Sequence, residues 1–245
     1  MKNIIRALAN SLGYDIVQKR NSNTNIDDHL ANIFLAKNID CVIDVGANSG
    51  QYAQSLRKLG FKGKIVSFEP VATVYDVLEK NSSADPDWLT FRCALGDINE
   101  DKQINVYKSS VFSSFLKANE SSKDIWTSLK TSELETVSVK RLDDIFADIL
   151  MLTGCKRFYL KLDTQGFDIN VFRGAKQTLS NIEAMQSELP LVAVYDGMSA
   201  PYDVLKEFHE SGFFVSGMYP VNRHSSLAII EYDCVLVKVP ELLQH

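Results

Sequence analysis

The sequence predicts an α/β fold: a doubly wound, mostly parallel sheet with helices on both faces. Three observations lead there. Apolar and amphipathic segments alternate in a β-α-β-α-β order from Cys41 to Ala94, which requires right-handed crossovers onto a parallel sheet. The strand segments, "CVIDV" and "KIVSF" among them, are apolar on both sides, as strands covered on both faces must be. The loop "GANSG" directly follows the first strand, where such sheets bind their ligands.

The elements follow in order. The opening "MKNIIRALANSLGYDIV" places Ile4, Ile5, Leu8 and Leu12 on one helical face. Arg6 and Asn10 interrupt its apolar run and no small-residue cleavage site follows, so the expectation is an amphipathic helix docked on the domain, not a signal peptide. Polar residues 21–25 read as a linker and 27–37 as a helix. Residues 1–38 thus form a helical leader and 39–245 the core of a single domain, a length that one α/β domain commonly reaches.

Cys41–Val45 is the first strand. The helix expected over 50–59 carries Tyr52, Leu56 and Leu59 on one face, with Gly60 just past its end. A strand over 64–69 stops at Pro70, a helix over 73–80 turns Val74, Tyr75 and Leu78 inward, and 88–94 is the third strand. The rhythm then changes. Ile104 and Val106 alternate with polar residues, as do Val137 and Val139, the pattern of two short strands that pair with each other. Between them, residues 109–133 are rich in Ser and Lys but hold Phe112, Phe115, Leu116 and Trp126, so they read as an ordered loop or lid, within an insertion covering about residues 100–140. The regular order returns with a strand over 158–163, a helix over 168–179, a strand over 184–188 and a helix over Pro201–Glu210. Strands over 213–218 and 228–239, joined by "YPVNRHSS", close the chain. No run approaches the length of a transmembrane helix.

Hydrophobic residues make up 45% and charged residues 23% of the chain, an ordinary balance for a globular protein with a full core. The net charge of −5 lacks the basic footprint of a protein that grips a nucleic-acid backbone, so no nucleic-acid partner is expected. Cys41, Cys93, Cys155 and Cys234 form no C-x-x-C pair; Cys41, Cys93 and Cys234 lie in apparent strands and read as small buried hydrophobes, which points to a reducing, cytoplasmic location.

The first loop carries the chemistry. Gly46 permits a sharp turn, Gly50 a close backbone approach, and Asn48 tolerates left-handed geometry. A dinucleotide loop would be G-x-G-x-x-G, yet Asn48 stands where its second glycine belongs, and the Lys of a phosphate-binding loop is missing. Asp44 at the strand end would repel phosphate and attract an ammonium or a sulfonium, and S-adenosylmethionine carries both. Glu69, followed by Pro70, ends the second strand, where an acid accepts hydrogen bonds from ribose hydroxyls. Asp97, after Ala94 and Leu95 in "ALGD", is placed to reach the adenine amino group. On this reading Asp44→Ala abolishes cofactor binding and leaves the fold intact.

The segments "VIDVGANSGQY", "IVSFEPV", "CALGD", "VKRLDDI" and "FYLKLDTQGFDINVFRGA" together resemble the FkbM-type class I methyltransferases, over about Cys41 to Lys238. The resemblance implies a Rossmann-like seven-stranded sheet with an antiparallel last strand, S-adenosylmethionine as cofactor and an acceptor site above the sheet. It also implies O-methyl transfer to a sugar, a glycan unit or another small metabolite. The chain departs from the commoner D-x-E-G of that family: it reads Asp163, Thr164, Gln165, Gly166.

An alcohol acceptor must lose its proton, so a base is expected. The candidates are Asp163, whose strand alternation sends its side chain into the cleft, Glu188 at the end of the fifth strand, and His224 between the last two strands. Asp163 is also expected to face the transferable methyl or the methionine ammonium, and Ser113 and Ser114 of the insertion to contact the methionine end of the cofactor or the acceptor. Asp168 reads as a first-turn helix acid. Asp163, Asp168 and Glu188 lack the spacing of a dedicated Mg²⁺ motif, and no metal is expected. The competing readings are a nicotinamide-dependent oxidoreductase or epimerase and a non-catalytic S-adenosylmethionine-binding module. Nucleic-acid amino methylation is a weaker rival, since "DTQG" stands where (Asp/Asn)-Pro-Pro-(Tyr/Phe) would be. A homo-oligomer is compatible with all of these.

Overall fold

The computed structural model describes residues 25–239 together with 5, 9 and 11–13. The expected N-terminal helix face rests on Ile4 and Leu8, which lie outside the described residues, as does most of the linker.

The described chain runs α1 (Ile26–Lys37), β1 (Cys41–Val45), α2 (Gln51–Lys58), β2 (Lys64–Phe68), α3 (Ala72–Ser82), β3 (Trp88–Phe91), β4 (Ala94–Leu95) and β5 (Glu100–Tyr107). It continues α4 (Glu120–Ile125), β6 (Ser132–Lys140), α5 (Leu142–Thr153), β7 (Phe158–Leu162) and α6 (Asp168–Arg173). It ends β8 (Ile182–Pro190), α7 (Pro201–Glu210), β9 (Phe213–Arg223) and β10 (Ile229–Lys238). A seven-stranded sheet has the order β3-β2-β1-β7-β8-β10-β9. β10 runs antiparallel to both its neighbours, and the pairings from β3 through β8 are parallel. This is the expected sheet with its antiparallel last strand.

Both faces of the strands are buried. On one face Val42, Ile65, Tyr159 and Ala184 meet Leu30 and Ile33 of α1, Ala53 and Leu56 of α2 and Leu78 of α3. On the other, Ile43, Val66, Leu160 and Met185 meet Leu142 and Phe146 of α5, Phe172 of α6 and Phe208 of α7. The helix ends have local causes. The Asn25 side chain accepts from the Asp28 N–H at 2.8 Å and starts α1, and Pro201 opens α7 where a missing N–H costs nothing.

The structure corrects several boundaries. The strand expected over 88–94 splits. Trp88–Phe91 stays in the main sheet, whereas Ala94–Leu95 pairs with β6 in a second, three-stranded sheet, β4-β6-β5. The two alternating strands do pair, antiparallel, as β5 and β6. The helix expected to reach residue 179 stops at Arg173 and is followed by a short 3-10 turn. β9 runs on to Arg223, beyond the expected 218. Helix α5 has no clear signal in the sequence, since exposed Met151 and Leu152 extend its apolar character to the solvent side and blur the period of Leu142, Phe146 and Ile149.

The lid is packed. Tyr107, Ala118, Leu129, Val194 and Tyr195 form its own small core, and Phe112 and Trp126 sit 6.0 Å apart against it.

Candidate active site

A cavity of about 600 Å³ opens above the carboxyl ends of β1, β2, β7 and β8. It lies where strand order reverses between β1 and β7, the place such sheets reserve for ligands. The lid and the β9–β10 hairpin supply its other walls.

The first turn is built as follows. The N–H groups of Gly46 and Ala47 both donate to the Phe68 carbonyl, at 3.1 and 2.9 Å. Gly46 has φ 76, and a β-carbon there would overlap the Asp163 carbonyl. Gly46→Ala therefore combines left-handed strain with a forced separation of the β1 and β7 tips. We expect it to cost more than about 2 kcal/mol, read by urea denaturation. Asn48, at φ 48, donates its N–H to Glu69 Oε2 at 3.0 Å and its Nδ2–H to Ser110 Oγ at 3.0 Å, tying turn, second strand and lid together.

Glu69 is 6% exposed and lines the cavity. Its Oε1 also accepts from the Val71 N–H at 2.9 Å. Desolvation pushes its pKa up to about 7 against the pull of these two backbone donors. Around it Phe68, Pro70, Ala94, Leu95, Ile104 and Phe115 form an apolar slot.

One layer below the strand tips lies a row that the sequence reading missed. Register sets Thr90, Ser67, Asp44, Lys161 and Gln186 side by side across β3, β2, β1, β7 and β8. Trp88 Nε1 donates to Ser67 Oγ at 2.9 Å, and Ser67 Oγ donates to Asp44 Oδ2 at 3.1 Å. Lys161 Nζ stands 3.4 Å from Asp44 Oδ1 and 2.9 Å from Asp163 Oδ2, with the Tyr52 ring centroid 5.0 Å away. The Gln186 amide accepts from Tyr52 and Tyr159, both at 3.3 Å, and donates to Asp233 at 2.8 Å. Desolvation would lower the Lys161 pKa, but Asp163 and Asp44 more than reverse it, and the ammonium is held above its ordinary range. Desolvation raises Asp44 despite Lys161 and Ser67. The signal was present in "FYLKL": a lysine inside a strand buried along its whole length needs a partner.

The other end of the cavity is acidic. Asp163, Glu188, Glu231 and Asp233 line it, and Glu188 and Asp233 are register partners on β8 and β10. Desolvation would raise Asp163, but the Lys161 charge and the Lys161 and Gln165 hydrogen bonds hold it low. Desolvation and then the Asp163 charge push Glu188 well above the carboxylate range, and desolvation takes Glu231 to about 7.

The predicted site residues sort accordingly. Gly46, Asn48, Glu69, Pro70, Ala94, Leu95, Ser113, Asp163 and Glu188 all line the cavity. Asp44 is fully buried beneath it, so the expectation that Asp44→Ala spares the fold is corrected: the change would strip Lys161 of one of its two carboxylates. Gly50, at φ 89, lies off the cavity lining, and a β-carbon there would come within 2.6 Å of the Trp88 ring; its freedom serves packing. Asp97 follows β4 away from the cavity and accepts from Asn170 at 3.3 Å. His224 sits exposed at the β9–β10 turn, bonded to Ser226, because β9 carries that turn past the cavity. Tyr52, Lys161, Gln186, Glu231 and Asp233 join the lining unpredicted. Asp168 accepts from Thr164 N–H, Thr164 Oγ1 and Ser187 Oγ and anchors the start of α6. Among the described residues no cluster of His, Cys, Asp or Glu is arranged to hold a metal.

Residues 44–215 match the Methyltransferase FkbM domain family. The chain belongs to this family. It is a methyltransferase, and its cofactor is S-adenosylmethionine. No curated protein sequence matches the chain significantly. Among solved structures, this methyltransferase chain is similar to an S-adenosylmethionine-dependent methyltransferase from Clostridium acetobutylicum (8% identity, 87% of this chain and 91% of that one, TM-score 0.48). It is similar too to Aeropyrum pernix fibrillarin with natively bound S-adenosyl-L-methionine (12%, 85% and 74%, 0.46). An rRNA methylase from Streptococcus thermophilus is a third (10%, 89% and 100%, 0.43). The cavity fits the family's cofactor. Its volume lies within the roughly 300–1,000 Å³ of small-molecule sites, and it joins an apolar slot beside an acid to a polar end. The buried Ser113 Oγ on its wall has no hydrogen-bond partner and is free for a ligand.

Proposed function

We propose that this methyltransferase acts on a hydroxyl of a small acceptor, a sugar, glycan or related metabolite unit. The supporting observation is the pairing of two unlike ends in one cavity: an apolar slot beside Glu69, and a wall where Asp163 and Glu188 stand next to each other. In this reading Glu69 accepts from the ribose hydroxyls, and the Gly46–Asn48 turn and Asp163 hold the methionine end. The bound cofactor supplies a methyl group on a sulfonium. The chain orients the acceptor hydroxyl and takes its proton at the Asp163–Glu188 carboxyls, whose raised Glu188 end suits exchange nearer to neutral pH. In this reading His224, which lies outside the cavity lining, takes no part.

The acid-lined wall and the net charge of −5 disfavour a polyphosphate acceptor such as a nucleic acid. The four cysteines are all unpaired, which accords with a reducing, cytoplasmic setting. No described helix is long and apolar enough to cross a membrane.

Separate calorimetric titrations with S-adenosylhomocysteine and NAD test the cofactor half. S-adenosylhomocysteine is expected to bind and NAD to give no heat. Methyl-labelled S-adenosylmethionine offered with a panel of sugars and short glycans tests the acceptor half, where label should pass to a hydroxyl oxygen. Binding of NAD with silence from S-adenosylhomocysteine would overturn the reading.

A further inference from the structure

The turn from β7 into α6 contains two consecutive left-handed residues, Gln165 at φ 52 and Gly166 at φ 88. A residue with a β-carbon holds that conformation only where its surroundings dictate it. Here they do. The Gln165 carbonyl accepts from Ser114 Oγ at 2.7 Å. Its Oε1 lies 3.0 Å from the Tyr195 hydroxyl, whose single hydrogen is shared between it and the Phe112 carbonyl at 2.8 Å. Its Nε2 donates to Asp163 Oδ1 at 3.2 Å and to Glu188 Oε2 at 3.0 Å. The reversed amide would set its oxygen 3.2 Å from Asp163, the acid that Lys161 keeps ionised, and the NH₂ group is favoured on that side. One NH₂ group thus serves both acids, one hydrogen each.

The charge balance around these acids is uneven. Glu188 is faced by Lys161 and Asp163 from β7, Asp168 from α6, Glu231 and Asp233 from β10, and Tyr195 from the loop after β8. Lys161 is the cation among them, and its ammonium contacts Asp44 and Asp163. Glu188 therefore has a neutral donor and acidic neighbours, whereas Asp163 has a cation at 2.9 Å. Two adjacent carboxyls with one cation on one side cannot both stay ionised without cost.

We propose that Gln165 is a positioning residue that clamps Asp163 and Glu188 into a carboxyl pair holding a single proton, with Asp163 as the ionised member. This rests on the reading of the pair as the base for methyl transfer. Such a pair has one protonated oxygen to donate a hydrogen bond to the acceptor and room for one further proton. As the new C–O bond forms and the methyl–sulfur bond breaks, its electron pair passes to sulfur. The acceptor's O–H proton passes to the pair and leaves to water afterwards. A carboxylate at position 165 would add a third negative group and demand a second proton.

Carboxyl carbon-13 NMR titration of the cofactor-free protein tests this, independently of any ligand. In the native protein Asp163 should titrate at or below the ordinary carboxylate range and Glu188 above it, so that the pair holds one proton at pH 7. Glu188→Gln should remove the high titration and leave the low one. Gln165→Glu, nearly the same size, should add a second high titration, two protons at pH 7 in place of one. Gln165→Leu removes both donors and should move the Asp163 midpoint up by about one pH unit or more. A merely structural glutamine would leave these midpoints in place. A native Glu188 that titrates near pH 4–5, or a Gln165→Glu protein with no additional high titration, would overturn the proposal. Failure of S-adenosylhomocysteine to bind would instead overturn the cofactor reading and leave these titrations unaffected.

Discussion

Lys161→Met is expected to lower the unfolding free energy by about 3–5 kcal/mol at pH 8, the range for removing one partner of a buried ion pair. Lys161 is 6% exposed and Asp44 fully buried, so the carboxylate left behind has neither water nor a cation to replace the ammonium. Ser67 Oγ would remain on Oδ2, but Oδ1 has no other hydrogen-bond partner. The loss should shrink towards acid pH, because desolvation already raises the Asp44 pKa and protonation would relieve the stranded charge. Adding Asp44→Asn to Lys161→Met should recover much of the loss, since the fully buried charge is then gone and Asp163, which also loses the ammonium, is open to the cavity. Urea denaturation of the four proteins in this cycle measures the coupling. A single variant that loses less than about 1 kcal/mol would mean that the row works as a set of neutral hydrogen bonds.

The second large effect concerns Glu69. Glu69→Gln should weaken S-adenosylhomocysteine binding roughly 30–100-fold, the worth of one to two hydrogen bonds to a charged acceptor. Calorimetry reads it directly. The pH dependence follows from the raised pKa. The ordinary value is 4.5 and the folded value about 7. The folded chain thus holds this proton more tightly than the unfolded chain. The associated stability is complete below about pH 4.5 and is lost as pH rises through about 7, amounting to about 3 kcal/mol. The native protein should be harder to unfold at pH 5 than at pH 8, and Glu69→Gln should flatten part of that slope. Glu231, also raised to about 7, supplies a slope of the same sign that the variant keeps. Cofactor affinity should move the other way, falling below pH 7 as the acceptor oxygens of Glu69 become protonated. A wild-type affinity unchanged between pH 5 and 8 would count against Glu69 as the ribose contact.

Much of the site was legible because it is local. "CVIDVGANSGQ" announces a strand, a tight turn and a helix within a few residues, and the turn's positive φ values at Gly46 and Asn48 are the ones these residue types favour. Glu69 and Pro70 mark the end of β2 in the same way. Where other candidate residues lie depends on neighbours brought in from elsewhere or on where a strand ends. Gly50 faces Trp88, which arrives with β3. Asp97 lies off the cavity lining, just after β4, which joins β6 in the second sheet. His224 is carried out by the length of β9, whose outer residues alternate too weakly to show where pairing stops.

The amino-acid sequence by itself determined the alternation of strands and helices, the glycine turn, the acid that follows β2 and the family to which the chain belongs. These depend on backbone preference and hydrophobic period, which act over a few residues. Only the tertiary structure decided that Asp44 serves Lys161, that Asp163 and Glu188 share one amide, and that an acidic wall from β10 completes the cavity. Those facts depend on which strands become neighbours and in what register. Electrostatic partnership is a property of distance in space, and the order of residues along a chain does not state it.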